Sequence, residues 1–154
     1  MNKLVFAAAC LFAVTAFADD KPKFHTLPKD VTWVRPFGAK GPSFGVVQGK
    51  FADLGHPATL FIRFKTGADT GWHIHSEDYV GVVLEGTFSE QQSGEDESSL
   101  PTGSYFSQPG KKVHRNGCVS STDCLVFLHF DKGADTTFTT PDGKPAARQA
   151  PPRL

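Results

Sequence analysis

The chain has 154 residues, with 16 Lys and Arg against 16 Asp and Glu, so its formal net charge at pH 7 is zero. That balance argues against a nucleic-acid or anionic-membrane partner, since either would favour a basic surface. The 14 phenylalanines suit a β-rich core lined with aromatic side chains.

The N-terminus reads as a targeting segment. Lys3 gives a positive start, Leu4 to Val14 is an uncharged apolar run, and Ala16-Phe17-Ala18 supplies the small-x-small pattern that signal peptidase cuts. The run is too short to span a bilayer, which takes roughly 20 apolar residues, and Asp19-Asp20-Lys21-Pro22 turns polar directly after it. A lipid anchor on Cys10 is rejected, because cleavage there would leave Leu11 to Val14 on the mature end. The expectation is a signal peptide over residues 1–18, a cut after Ala18, and a periplasmic or secreted protein with no membrane attachment after cleavage. What remains is the size of one domain.

Residues 19–30 are polar, hold two prolines and are expected to form a loose arm. Strand signals then recur at short spacing. Phe44 to Phe51 carries Val46 and Val47 between glycines, and Thr59 to Phe64 is a β-branched and aromatic run. Tyr79 to Phe88 contains Val80, Val82 and Val83, and Cys124 to Phe130 closes the series. Gly, Pro and Asp/Ser clusters separate them, as at 65–71, 93–97 and Pro109-Gly110. Gln91 to Ser99 reads as a solvated hairpin tip. Short strands with turn chemistry between them, and no convincing amphipathic helix, predict an all-β sandwich or barrel in a single domain over residues 31–138. Residues 139–154, with four prolines and few large apolar side chains, are expected to be a flexible tail.

Cys10 leaves with the signal, so the mature chain keeps Cys118 and Cys124. In an oxidising compartment an even pair is expected to be bridged, and Ser120-Ser121-Thr122-Asp123 between strand-like flanks offers the hairpin that would bring the sulfurs together. Metal or redox use is disfavoured, since neither a Cys-x-x-Cys motif nor a second pair is present.

The chemistry-bearing feature is Gly71-Trp72-His73-Ile74-His75. On a strand, side chains two residues apart share a face, roughly 6.6 Å apart along the chain. Two imidazoles so placed can converge on one ion. Taken alone, a His-x-His pair is a weak signal. Further along, Gly67 precedes His73 by six residues and Gly86 follows His75 by eleven, and then comes Gly103 with Pro109, Gly110 and His114.

These residues resemble the two signature motifs of cupins. The first motif has a glycine, five residues, His-x-His, a glutamate and a closing glycine; Gly67, His73, His75 and Gly86 fit it. The second has a glycine, five residues, Pro-x-Gly, two residues, a histidine and an asparagine; Gly103, Pro109 and His114 fit it. The resemblance spans about Phe44 to Phe130 and is nearest to exported cupins related to the cupin domain of ChrR-type anti-sigma factors. It implies a cupin jelly-roll β-barrel that holds one divalent transition metal (zinc, copper, iron, nickel or manganese) on His73, His75 and His114. Three positions depart from the pattern. The glutamate ligand falls on Tyr79, and Glu77 or Asp78 would reach the site only by a register slip that flips their faces. Lys111 stands where the turn has its last glycine. Cys118 stands where the asparagine falls, which favours the disulfide.

Three neutral histidines would leave the ion its full charge and open positions, an arrangement that resembles three-histidine dioxygenases. Tyr79 is then a candidate fourth ligand or substrate contact, or it simply packs. Trp72, Phe64, Phe88, Tyr105 and Phe127 are candidates to line the pocket, with aromatic core the default for each. His129 alternates with Phe127 and Leu125 and either lines the pocket or is a core histidine. Lys111, Lys112 and Arg115 bracket His114 as a basic turn, while His25 and His56 read as surface residues. Three function classes follow: a non-catalytic metal binder with a small-molecule pocket, a metal-dependent dioxygenase-type enzyme acting on a small organic substrate, and a barrel whose Phe44–Phe51 edge pairs with a second copy as a homodimer.

Overall fold

The computed structural model of the protein describes residues 28–38 and 41–147. The expected signal peptide, most of the arm with His25, and residues 148–154 lie outside them. Among the described residues, a turn of 3-10 helix, Pro28–Asp30, precedes eleven strands: β1 Trp33–Val34, β2 Ser43–Gln48, β3 Ala58–Phe64, β4 His73–Ile74, β5 Tyr79–Glu85, β6 Thr87–Gln92, β7 Ser98–Pro101, β8 Tyr105–Gln108, β9 His114–Cys118, β10 Cys124–Phe130 and β11 Thr137–Phe138. They form two sheets, ordered β1-β2-β3-β10-β5-β8 and β11-β4-β9-β6-β7. All strand pairs within them are antiparallel. The chain folds as the all-β, two-sheet architecture expected from its strand pattern.

Sheet alternation sets which side chains meet inside. In β10, Cys124, Val126, Leu128 and Phe130 are buried while Leu125, Phe127 and His129 are only half-buried on the other face. The strand is flanked by β3 and β5 along its length, so its inner face has no exposed end. Each fully buried Leu or Phe contributes roughly 1.5–3 kcal/mol by leaving water. Aromatic rings then tie the sheets across the interior. Phe64 of β3 packs edge-on to Phe88 of β6 at 5.4 Å, and Phe88 stacks on Phe106 of β8 at 5.5 Å. At one end Phe37, Phe44 and Phe51 form an edge-to-face cluster, which Phe138 joins through Phe37 at 5.2 Å.

The strand expected over Tyr79 to Phe88 is cut in two at Gly86, with φ +81°, where the chain crosses from one sheet to the other. A Cβ there would also lie 2.9 Å from Cys124 Sγ, so only glycine fits. The segment expected as a sheet edge at Phe44–Phe51 is covered at its start by β1, with Trp33 opposite Gly45 and Val34 opposite Phe44. Beyond Phe138, the first part of the expected tail is tied down: Thr139 N–H donates to Trp72 O, and Ala146 N–H to Phe138 O.

Cys118 and Cys124 are joined by a disulfide, with a Cα–Cα distance of 5.7 Å. It links the end of β9 to the start of β10 and so clips one sheet to the other. Replacing both cysteines with alanine is expected to lower the unfolding free energy by about 2.4 kcal/mol, the loop-closure term for so short a ring. Denaturant unfolding of the two proteins measures this, and equal stabilities would show that the clip is dispensable.

Candidate metal centre

β4 pairs with β9 at a single register position, His73 opposite His114. On its other side β4 pairs with β11, where Phe138 stands opposite His73. Alternation sends His73 inward and Ile74 outward, and His75 returns to the inner side. The three imidazoles are 3%, 7% and 0% exposed for His73, His75 and His114. Their ring centroids lie 4.3–5.2 Å apart, and their ligand nitrogens all lie within 4.8 Å of one another.

Each ring is oriented by its Nδ1. His73 Nδ1–H donates to Gly71 O at 2.8 Å and His114 Nδ1–H to Lys112 O at 2.9 Å. His75 Nδ1–H donates to the carbonyl of Asp135. In a neutral imidazole this leaves Nε2 as the lone-pair nitrogen, so three Nε2 atoms converge. Burial keeps the rings neutral. It pushes His73 well below the usual histidine value and His75 below it too. His114 is lowered to about 4, by burial first and then by His75. Three neutral nitrogens, fixed from behind by backbone carbonyls, are a donor set that fits zinc or another borderline divalent ion.

Tyr79 opens β5 beside this cluster. Its hydroxyl lies 3.4 Å from His114 Nε2, and its ring stacks on Phe130 at 4.7 Å and meets His75 edge-on at 5.0 Å. Burial pushes the phenol up, so it stays protonated. The two nearby carboxylates are elsewhere. Asp78 Oδ1 accepts from Gly110 N–H at 2.7 Å, and Glu77 lies 3.9 Å from Lys132 on the surface. Among the described residues no carboxylate joins the three-histidine cluster.

The displaced glycine of the second motif has a local cause. Lys111 takes the left-handed conformation, φ +62°, and its N–H donates to His75 O at 2.8 Å. Gly110 is pressed against the Glu77 backbone, where a Cβ would come within 2.7 Å of the carbonyl carbon. The turn that carries the chain into His114 is thus wedged under the turn that follows His75.

A cavity of about 40 Å³ adjoins His73, His75 and Tyr79. Of the aromatic residues singled out in the sequence, Phe64 and Phe88 line it. The others do not. Trp72 carries the Arg115 guanidinium over its ring at 5.2 Å. Tyr105 is 66% exposed on the outer face of an edge strand. Phe127 packs on Phe61, and His129 bonds Thr59 Oγ1 at 2.8 Å and Asp131 at 3.1 Å. Phe127 and His129 lie on the outer face because the inward set in β10 is Cys124, Val126, Leu128 and Phe130. His56 is exposed beside Asp53.

Two residues of the site had no signal in the sequence. Asp135 holds His75 through its carbonyl, while its carboxylate accepts from Ser76 N–H at 2.8 Å and Ser76 Oγ–H at 2.6 Å. Asn116 enters the cavity from β9. Both depend on contacts between distant segments, which single-residue patterns do not carry.

A family model described as the ChrR cupin-like domain matches residues 22–132. An RmlC-like cupin from Shewanella frigidimarina superposes with a TM-score of 0.60 at 19% identity, covering 73% of this chain and 93% of its own. KdgF from a Halomonas species gives 0.54 at 20% identity, over 67% of this chain and 88% of that one. The DMSP lyase DddQ from Ruegeria pomeroyi gives 0.59 at 15% identity, over 75% and 64%. At these identities the likeness speaks to the fold. No curated protein sequence matches the chain.

The depressed histidines make the metal-free protein acid-sensitive. Between the ordinary histidine value of about 6.5 and the folded value of about 4 for His114, the unfolded chain binds protons that the folded chain does not. Stability is therefore present above that window and lost as pH falls through it. For His114 alone the loss on going from pH 7.5 to 5 is expected to be about 2 kcal/mol. Thermal melts of chelator-treated protein at the two pH values measure it, and a His114→Gln variant is expected to show a smaller difference. Melts that match at both pH values would contradict the buried, neutral state of the cluster.

Proposed function

The chain belongs to the ChrR cupin-like domain family, and we propose that it is an exported cupin that binds one divalent transition metal through His73, His75 and His114. The observation that carries this reading is the triple Nδ1 restraint: each ring donates to a backbone carbonyl, leaving its Nε2 for the shared centre. A metal there would supply Lewis acidity and open coordination positions for a small ligand. The chain's own part is to hold the three rings neutral, exclude bulk water with phenylalanines, and present a protonated Tyr79 at the edge of the site.

A non-catalytic binder is favoured over an enzyme by the size of the space. About 40 Å³ admits a few water-sized groups, and its aromatic walls leave little room for a larger organic substrate. A metal-dependent enzyme of dioxygenase type is the second reading. What supports it is the absence of a carboxylate from the cluster among the described residues, together with the Tyr79 hydroxyl 3.4 Å from a ligand nitrogen.

Metal analysis of protein purified from its native host tests the centre. About one ion per chain is expected in the wild type and almost none in a His73→Ala/His114→Ala variant that still folds. Equal and negligible metal in both, unchanged on titration with zinc, copper or iron, would overturn it. Export is supported by the targeting pattern of residues 1–18 and by the Cys118–Cys124 disulfide. Cell fractionation with N-terminal sequencing is expected to find a mature chain that begins at Asp19 outside the cytoplasm. A cytoplasmic chain that retains Met1 to Ala18 would refute export.

A further inference from the structure

Asn116 follows His114 by two residues on β9, so the two side chains enter the barrel from the same face. They are separated by roughly 6.6 Å along the strand. Asn116 is 5% exposed and lines the cavity shared with His73, His75 and Tyr79. Its backbone is fully engaged: its N–H donates to Thr70 Oγ1 at 3.0 Å, and its carbonyl accepts from Thr70 N–H at 2.8 Å. Its side chain is not, for Nδ2 is buried with no hydrogen-bond partner. Burying such a donor unmet is costly, and an apolar residue of similar size would avoid the cost. An amide kept there in spite of that cost fits a partner that arrives from outside.

Charge and size describe that partner. Three neutral imidazoles do nothing to balance a divalent ion, and no carboxylate of the described residues joins them. A dipositive charge in an apolar interior calls for an anion. The cavity of about 40 Å³ has space for a few water-sized groups. Phe64 and Phe88 are among the aromatic residues that line it.

We propose that Asn116 positions and selects the ligand of the metal centre, and that this ligand is a small monoanion, of the formate or azide type. One end of the anion faces the three-histidine centre and the other accepts from Asn116 Nδ2. A neutral amide suits this task, because it donates without repelling; an aspartate at the same place would set a second negative charge against the anion. The inference rests on the three-histidine reading above.

The test uses the full mature chain loaded with cobalt(II), whose visible spectrum reports changes in coordination, titrated with sodium formate and with sodium azide. Wild type, Asn116→Leu and Asn116→Asp are compared for cobalt per chain, melting temperature without anion, and anion affinity. Both variants are expected to keep wild-type cobalt content. Asn116→Leu is expected to melt no lower than wild type and to bind formate about tenfold more weakly or worse, and Asn116→Asp to bind neither anion measurably. If Asn116→Leu takes up cobalt and binds formate as wild type does, the role of Asn116 is overturned while the metal centre stands. That role is equally overturned if Asn116→Leu melts lower but its folded, cobalt-loaded fraction binds formate normally, since the residue is then structural. A cobalt-loaded wild type that responds to neither anion overturns the ligand class. A wild type that takes up no cobalt removes the centre itself, and this inference with it.

Discussion

Three imidazoles that each commit their single N–H to a backbone carbonyl must point three lone pairs at one another. That constraint organises the interior of this barrel. Neutral histidine has one donor and one acceptor nitrogen, and the donors of His73, His75 and His114 are all directed outward to Gly71, Asp135 and Lys112. What remains at the centre is a cluster of acceptors in an apolar surround, with the Tyr79 hydroxyl 3.4 Å from one of them. Protonation would relieve the mutual repulsion, but burial opposes it and holds all three rings below the ordinary histidine range. A cation would relieve it, and neutral, preoriented imidazoles are the form in which nitrogen binds one.

The barrel supplies this arrangement by ordinary sheet geometry. Two of the rings are partners in one antiparallel register, and each is held by the carbonyl two residues upstream, where the chain turns into its strand. The third comes from the next inward position after β4 and is anchored by a residue 60 positions away. Phenylalanines from both sheets then fill the space behind, so the polar centre sits at one wall of an aromatic interior. The disulfide at the far end of β9 clips the same strand that carries His114 and Asn116 to the opposite sheet.

Much of this is legible in the residues. Strand runs at Thr59–Phe64 and Cys124–Phe130 correspond closely to β3 and β10, because both are β-branched, aromatic and bounded by turn chemistry. The resemblance to the two cupin motifs groups His73, His75 and His114. Less legible is the sense of the alternation. In β10 both faces carry large apolar residues, so the pattern does not say which looks inward, and Phe127 and His129 read as candidates for a pocket they turn away from. The strands β4, β8 and β9 are short, and β9 holds an arginine, an asparagine and a glycine, so the local signal is slight. They are strands because their partners make them so. Asn116 and Asp135 fall in the same class, since their value comes from what the pairing brings beside them.

The reliance of His75 on Asp135 carries a consequence for assembly. His73 and His75 lie near the middle of the chain, yet the carbonyl that locks His75 follows the last long strand, and Phe138 stands opposite His73. A growing or partly folded chain that has laid down β4 and β9 therefore has two of its rings in place and the third still free to turn. The full set of three oriented rings needs the segment through Phe138 to be docked. A chain clipped before Asp135 would therefore keep all three histidines in its sequence yet lack the carbonyl that orients His75.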